Sequence, residues 1–99
     1  MTKEWRDIPG WEGTYQVSNE GAVMRLAGSP YCRTNRTLRN IKSSTGYFYV
    51  NFTNSSEHRH KHIHRLVALA FLEPQPTPEH EINHINGNKA DNRPENLEW

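Results

Sequence analysis

Short runs of alternating apolar and polar residues, cut by turn formers, fill most of the chain before residue 63. Residues 4–26, EWRDIPGWEGTYQVSNEGAVMRL, mix aromatic residues with Pro9, Gly10, Gly13 and Gly21 and predict short strands joined by turns. Within them Tyr15-Gln16-Val17 and Ala22-Val23-Met24 flank Ser18-Asn19-Glu20-Gly21, a hairpin in which Gly21 is free to take positive φ. Residues 27–46 are polar and read as loop. A second hairpin follows, with Tyr47 to Phe52 and His58 to Ile63 as β-prone runs around Thr53-Asn54-Ser55-Ser56-Glu57.

At residue 63 the period changes. In IHRLVALAFL, Leu66, Val67, Ala70 and Phe71 recur at helical spacing with Ile63 one turn earlier, which predicts one helix over 63–72 with Phe71 as its main anchor. Pro74, Pro76 and Pro78 end it and stiffen a connector. Glu81 to Ile85 then reads as a strand, Asn86 to Asn96 as an ordered loop, and Leu97-Glu98-Trp99 as the start of a returning strand. The pattern gives an α+β fold with a small antiparallel, β-rich N-terminal part and one central helix.

Composition narrows the class. Ninety-nine residues with 33% hydrophobic content and mean hydropathy of −0.96 make a thinly cored protein without room for a bulky cofactor. Three Trp, four Tyr and three Phe argue against disorder, and the tryptophans Trp5, Trp11 and Trp99 read first as core anchors. Cys32 is the lone cysteine, so disulfides within the chain and cysteine-based zinc sites are excluded. The N-terminus lacks an apolar signal region, and no stretch approaches the roughly 20 apolar residues that span a bilayer, so a cytoplasmic location is expected.

The formal net charge of +1 hides a segregation. From Arg25 to Arg65 there are eight basic residues, Arg25, Arg33, Arg36, Arg39, Lys42, Arg59, Lys61 and Arg65, against the single acid Glu57, whereas the rest of the chain carries four basic and ten acidic residues. Cationic side chains interleaved with Asn, Ser, Thr and Tyr are what contact with a phosphate backbone requires, though a merely solvated face has a similar composition.

Asn83-His84, followed twelve residues later by Asn96, is the candidate for chemistry. A phosphodiester hydrolase needs a base to activate water, a group that orients the base, and a divalent cation on the phosphate. His84 suits the first role because imidazole titrates near neutrality, Asn96 suits the second, and the amide oxygen of Asn83 can reach a hard cation. The same residues equally suit an ordered turn, and spacing alone does not decide. Along His58-Arg59-His60-Lys61-His62-Ile63-His64, alternate imidazoles would share one strand face. Interleaved cations make a metal there less expected than a ribbon facing DNA.

Three segments carry a resemblance. HEINHINGNKADNRPENLEW resembles the nuclease core of HNH homing endonucleases, IHRLVALAFL is similar to the His-Arg-Leu-Val-Ala helix that precedes it, and EWRDIPGWEGTYQVSNEGAVMRL resembles the nuclease-associated modular motif. The order of the three is also the family's. The resemblance implies a modular DNA-binding motif over 1–26, a basic hairpin and helix over 27–72, and an incomplete ββα-metal (His-Me finger) core over 79–99. It implies His84 as general base, Asn96 as the residue that steers it, Asn83 as a ligand to a divalent metal (Mg²⁺ first, Mn²⁺ or Zn²⁺ next), and double-stranded DNA as partner, with His64 joining the basic residues in DNA contact. A phage-encoded enzyme acting inside an infected bacterium is expected. In the family the fold continues past Leu-Glu-Trp into a helix with a further ligand, so this sequence, ending at Trp99, is expected to cleave weakly or not at all. The alternative is an inactive relative that binds DNA or inhibits a host enzyme.

Overall fold

The computed structural model describes residues 3–28, 34–53 and 58–99. Its first sheet is a four-stranded antiparallel meander, β1 (Trp5–Asp7), β2 (Tyr15–Ser18), β3 (Val23–Arg25) and β4 (Arg36–Thr37), in that order. Tyr15, Val17 and Val23 point inward and are buried, as the period of two requires. The β2–β3 connection is the expected tight turn, with Gly21 at φ +84°.

The second sheet is β5 (Ile41–Lys42), β6 (Phe48–Thr53) and β7 (His58–His62), again antiparallel. On β6, Val50 and Phe52 turn inward and are buried. Tyr49 and Asn51 lie on the other face, opposite His62 and His60. The segment 27–46, expected as loop, contains the two-residue strands β4 and β5, each formed by pairing with a longer neighbour rather than by alternation of its own. The hairpin turn at 54–57 and Cys32 lie outside the described residues.

β7 passes directly into the helix α1 (Ile63–Phe71), whose buried residues are Ile63, Leu66, Val67 and Ala68. Phe71 is only partly buried, and the Arg6 guanidinium lies 4.5 Å from its ring centroid. The expected anchor role falls instead to Ile63, Leu66 and Val67. Beyond the proline connector, β8 (Asn83–His84) pairs with β9 (Leu97–Glu98), with a 3-10 turn at Pro94–Asn96 before β9.

One apolar cluster unites these elements: Ile8, Tyr15, Val17, Val23, Val50, Phe52, Ile63, Leu66, Val67 and Leu97. At its centre Tyr15 and Phe52 stack with ring centroids 3.9 Å apart, and Trp11 meets both edge-on at 5.5 and 5.0 Å. The tryptophans therefore divide: Trp11 packs against this core, whereas the Trp99 indole N–H donates to the Glu73 carbonyl at 2.8 Å. Among the described residues no helix is long and apolar enough to cross a membrane.

Candidate active site

The loop from Ile85 to Asn96 is rich in asparagine because its backbone donors need partners that a sheet does not supply. Asn86 Oδ1 accepts from the Asn88 N–H (2.8 Å), and Asn88 Oδ1 accepts from the Ala90 N–H (3.0 Å), two Asx turns in succession. Asn96, buried, ties the ends together: its amide nitrogen donates to Asn86 Oδ1 (3.0 Å) and to the Asp91 carbonyl (2.9 Å), while its Oδ1 accepts from the Asn86 N–H (3.1 Å). Arg93 pairs with Asp91 in a two-pronged contact of 2.8 Å on each side. This contact holds the Asp91 carboxyl down at about 2.

His84 stands at the base of that loop on β8, 7% exposed. Its Nε2 lies 2.7 Å from Asn92 Oδ1. An amide oxygen only accepts, so Nε2 carries the hydrogen and Nδ1 is left as the basic nitrogen. Asn96 thus braces the loop, while the direct contact to the ring comes from Asn92. Nothing in the sequence singled out Asn92, one of five asparagines between positions 83 and 96 that are all plausible turn residues.

Asn83, the residue before His84, is exposed; it pairs across β8–β9 with Glu98 and donates from Nδ2 to Glu98 Oε1 at 2.9 Å. The amide oxygen of Asn83 and the neighbouring carboxylate are hard donors of the kind a divalent cation takes, so their chemistry fits such an ion. They are two donors only. Among the described residues no group of three or more His, Cys, Asp or Glu side chains is placed to hold a metal.

Aromatic and imidazole rings connect His84 to the second sheet. His64 lies 5.3 Å and Tyr47 5.9 Å from the His84 ring, and His62 lies 5.4 Å from His64. Farther along, Tyr49 stacks on His60 at 4.6 Å. Burial, then the charges of His84, His62 and Arg65, push the His64 imidazole down to about 4, so it is neutral at physiological pH. Lys89 reaches over the Tyr47 ring at 4.5 Å while donating to the Thr45 carbonyl. Beside this row opens a cleft of about 360 Å³, bordered by Tyr47, His62, His64, Arg65 and His80 among others.

The basic residues are less gathered. Arg36, Arg39, Lys42 and Arg65 are exposed, and Lys61 is partly covered. Arg25, partly buried, faces Arg36 across β3–β4. Arg33 lies outside the described residues, and of Arg59 only the backbone position in β7 is described.

Comparison with known proteins bears on the fold and the family. The family model described as HNH endonuclease matches residues 61–99, and that of the NUMOD4 motif matches residues 4–53. DNA endonuclease I-HmuI of Bacillus phage SP01 is 34% identical over 96 residues, covering 97% of this chain and 51% of its own. Two uncharacterised HNH endonucleases of Acanthamoeba polyphaga mimivirus are 41% and 36% identical, with 23% and 27% of their lengths matched. A solved structure on DNA binding and cleavage by the HNH homing endonuclease I-HmuI superposes with a TM-score of 0.81 at 33% identity, again covering 97% of this chain and 51% of that one. The chain therefore spans about half the length of I-HmuI and about a quarter of the mimivirus relatives. It belongs to the HNH endonuclease family, with a NUMOD4 motif preceding the HNH segment.

Proposed function

We propose that this chain carries the DNA-docking surface and the general base of a homing-type, divalent-metal-dependent DNA endonuclease. The observation that carries the reading is the 2.7 Å contact between His84 Nε2 and Asn92 Oδ1. It fixes the ring and its tautomer, as a base requires. Nδ1 of His84 takes a proton from water as the water oxygen bonds to phosphorus; the opposite P–O bond breaks and its oxygen leaves with the electron pair. Asn83, with Glu98 beside it, is where a divalent ion would be held, and such an ion when bound supplies charge neutralisation at the phosphate.

DNA would approach along the exposed face of β6 and β7. Tyr49 and His60 there offer flat rings and hydrogen-bonding nitrogens, and Tyr47, His62 and His64 continue the row to His84. Arg36, Arg39, Lys42 and Arg65 supply cationic contacts to the backbone. Inhibition of a host enzyme has no supporting observation, since the relatives matched are named as nucleases.

Nicking of supercoiled plasmid in Mg²⁺ tests the reading. Any nicking is expected to be weak, to stop with a chelator and to fall by at least about a hundredfold in His84→Ala, the share a positioned base usually contributes. Equal nicking by folded His84→Ala protein would remove His84 from the mechanism.

A further inference from the structure

The turn between β2 and β3 sits directly against the residue that holds His84. Gly21, buried and at φ +84°, leaves little room for a side chain: a Cβ there would lie 3.2 Å from Asn92 Cβ, close enough that Asn92 must give by a few tenths of an ångström, and 3.4 Å from Ile63 Cγ2. Gly10, Gly13, Gly28 and Gly87 would each meet nothing within 4 Å. Gly46, the remaining glycine, would meet only the Lys89 side chain. The turn that carries Gly21 is itself fixed. Ser18, fully buried, accepts at Oγ from the Glu20 and Ala22 N–H groups, its own N–H donates to the Ala22 carbonyl, and its carbonyl accepts from the Gly21 N–H.

We propose that the N-terminal β2–β3 turn is a positioning element of the nuclease site, in which Gly21 seats Asn92 and Asn92 fixes the His84 ring. The proposal rests on the reading of His84 as the base. A flat glycine backbone at this point lets the Asn92 side chain close onto Nε2, and a Cβ there presses on Asn92. The NUMOD4 segment would then do more than contact DNA: its turn completes the orientation of the base. Gly21 and Asn92 act through His84 and touch no substrate, so they are positioning residues.

Chemical shifts of the His84 ring nitrogens report the tautomer directly and do not need cleavage. The wild-type ring should show the Nε2-protonated form. Asn92→Leu and Gly21→Ala should both replace that signature with a mixture of forms, and where the protein nicks plasmid both should lower kcat by about tenfold to a hundredfold with KM unchanged, the size of effect typical of residues that orient a catalytic ligand or base. Gly13→Ala is the control, because it imposes a comparable backbone strain at φ +79° with no neighbour to push; its ring shifts should match the wild type. Should Gly21→Ala fail to fold, Ser18→Ala loosens the same turn without adding an atom and should produce the same mixture of tautomers. Ring shifts in Gly21→Ala, or in Ser18→Ala, that coincide with those of Gly13→Ala would overturn the proposal. Absence of nicking in every protein, wild type included, bears on the nuclease reading alone, and the ring shifts still decide the positioning.

Discussion

At the scale of single residues, burial changes what His84 and His64 contribute. An exposed catalytic imidazole could be removed without loss of stability, but His84 is 7% exposed and bonded to Asn92. His84→Ala would leave the Asn92 oxygen without its donor in a buried place, which costs roughly 1–3 kcal/mol. The variant should melt several degrees below the wild type, so its loss of nicking must be read at a temperature where it is folded. His64 makes a separate, pH-dependent contribution. Unfolded, its ring takes a proton near pH 6.5; folded, it holds off until about pH 4. Between those values the unfolded chain binds more protons, so the contribution is fully present above about pH 6.5 and is lost as acid carries the protein down through pH 4. Melting temperatures should therefore fall more steeply across this window in wild type than in His64→Gln, and parallel curves would mean that the ring titrates in the fold as it does in water.

Among the elements, α1 and the long hairpin show how far pattern alone reaches. Periodicity located both, because each has enough residues for its period to be counted: Ile63, Leu66 and Val67 every turn of the helix, Val50 and Phe52 every second residue of β6. It misjudged which aromatic carries the load. Phe71 lies at the end of α1, partly buried beneath the Arg6 guanidinium, whereas Phe52 is 1% exposed, stacked on Tyr15 and met edge-on by Trp11. Phe52→Ala should cost about 3–5 kcal/mol and unfold so small a domain, and Phe71→Ala about 1–2 kcal/mol. Chemical denaturation of the two variants checks the ranking; an equal loss would place Phe71 in the core after all. β4 and β5 were invisible for a different reason. Arg36-Thr37 and Ile41-Lys42 have no alternation to read and exist as strands only because β3 and β6 offer them open edges. The site was half legible on the same grounds. His84 stood out by residue type, but which of the nearby asparagines reaches its ring depends on how the loop from Ile85 to Asn96 folds back, and no local signal marks Asn92.

For the whole molecule, the charge segregation along the chain becomes a question of which cations reach a polyanion. Arg36, Arg39 and Lys42 fall on or beside the short edge strands β4 and β5 with their side chains exposed, so replacing them should not disturb the core. If they track phosphates, each releases close to one counterion on binding, and the slope of log affinity against log salt steepens by about 0.9 for every phosphate neutralised in duplex DNA. Replacing all three by Ala should then flatten the slope by roughly 2–3 and weaken binding to every sequence alike, because phosphate contacts set register without reading bases. Substituting Tyr49, whose ring stacks on His60 on the outer face of β6 and β7, should act differently: affinity falls with the salt slope unchanged, since an uncharged phenol ring releases no counterion. Titrations of duplex DNA at several salt concentrations separate the two groups. A triple variant with the wild-type slope would move the phosphate track away from β4 and β5, leaving Lys61, Arg65 and the ring-lined face of the second sheet as the surface along which DNA reaches His84.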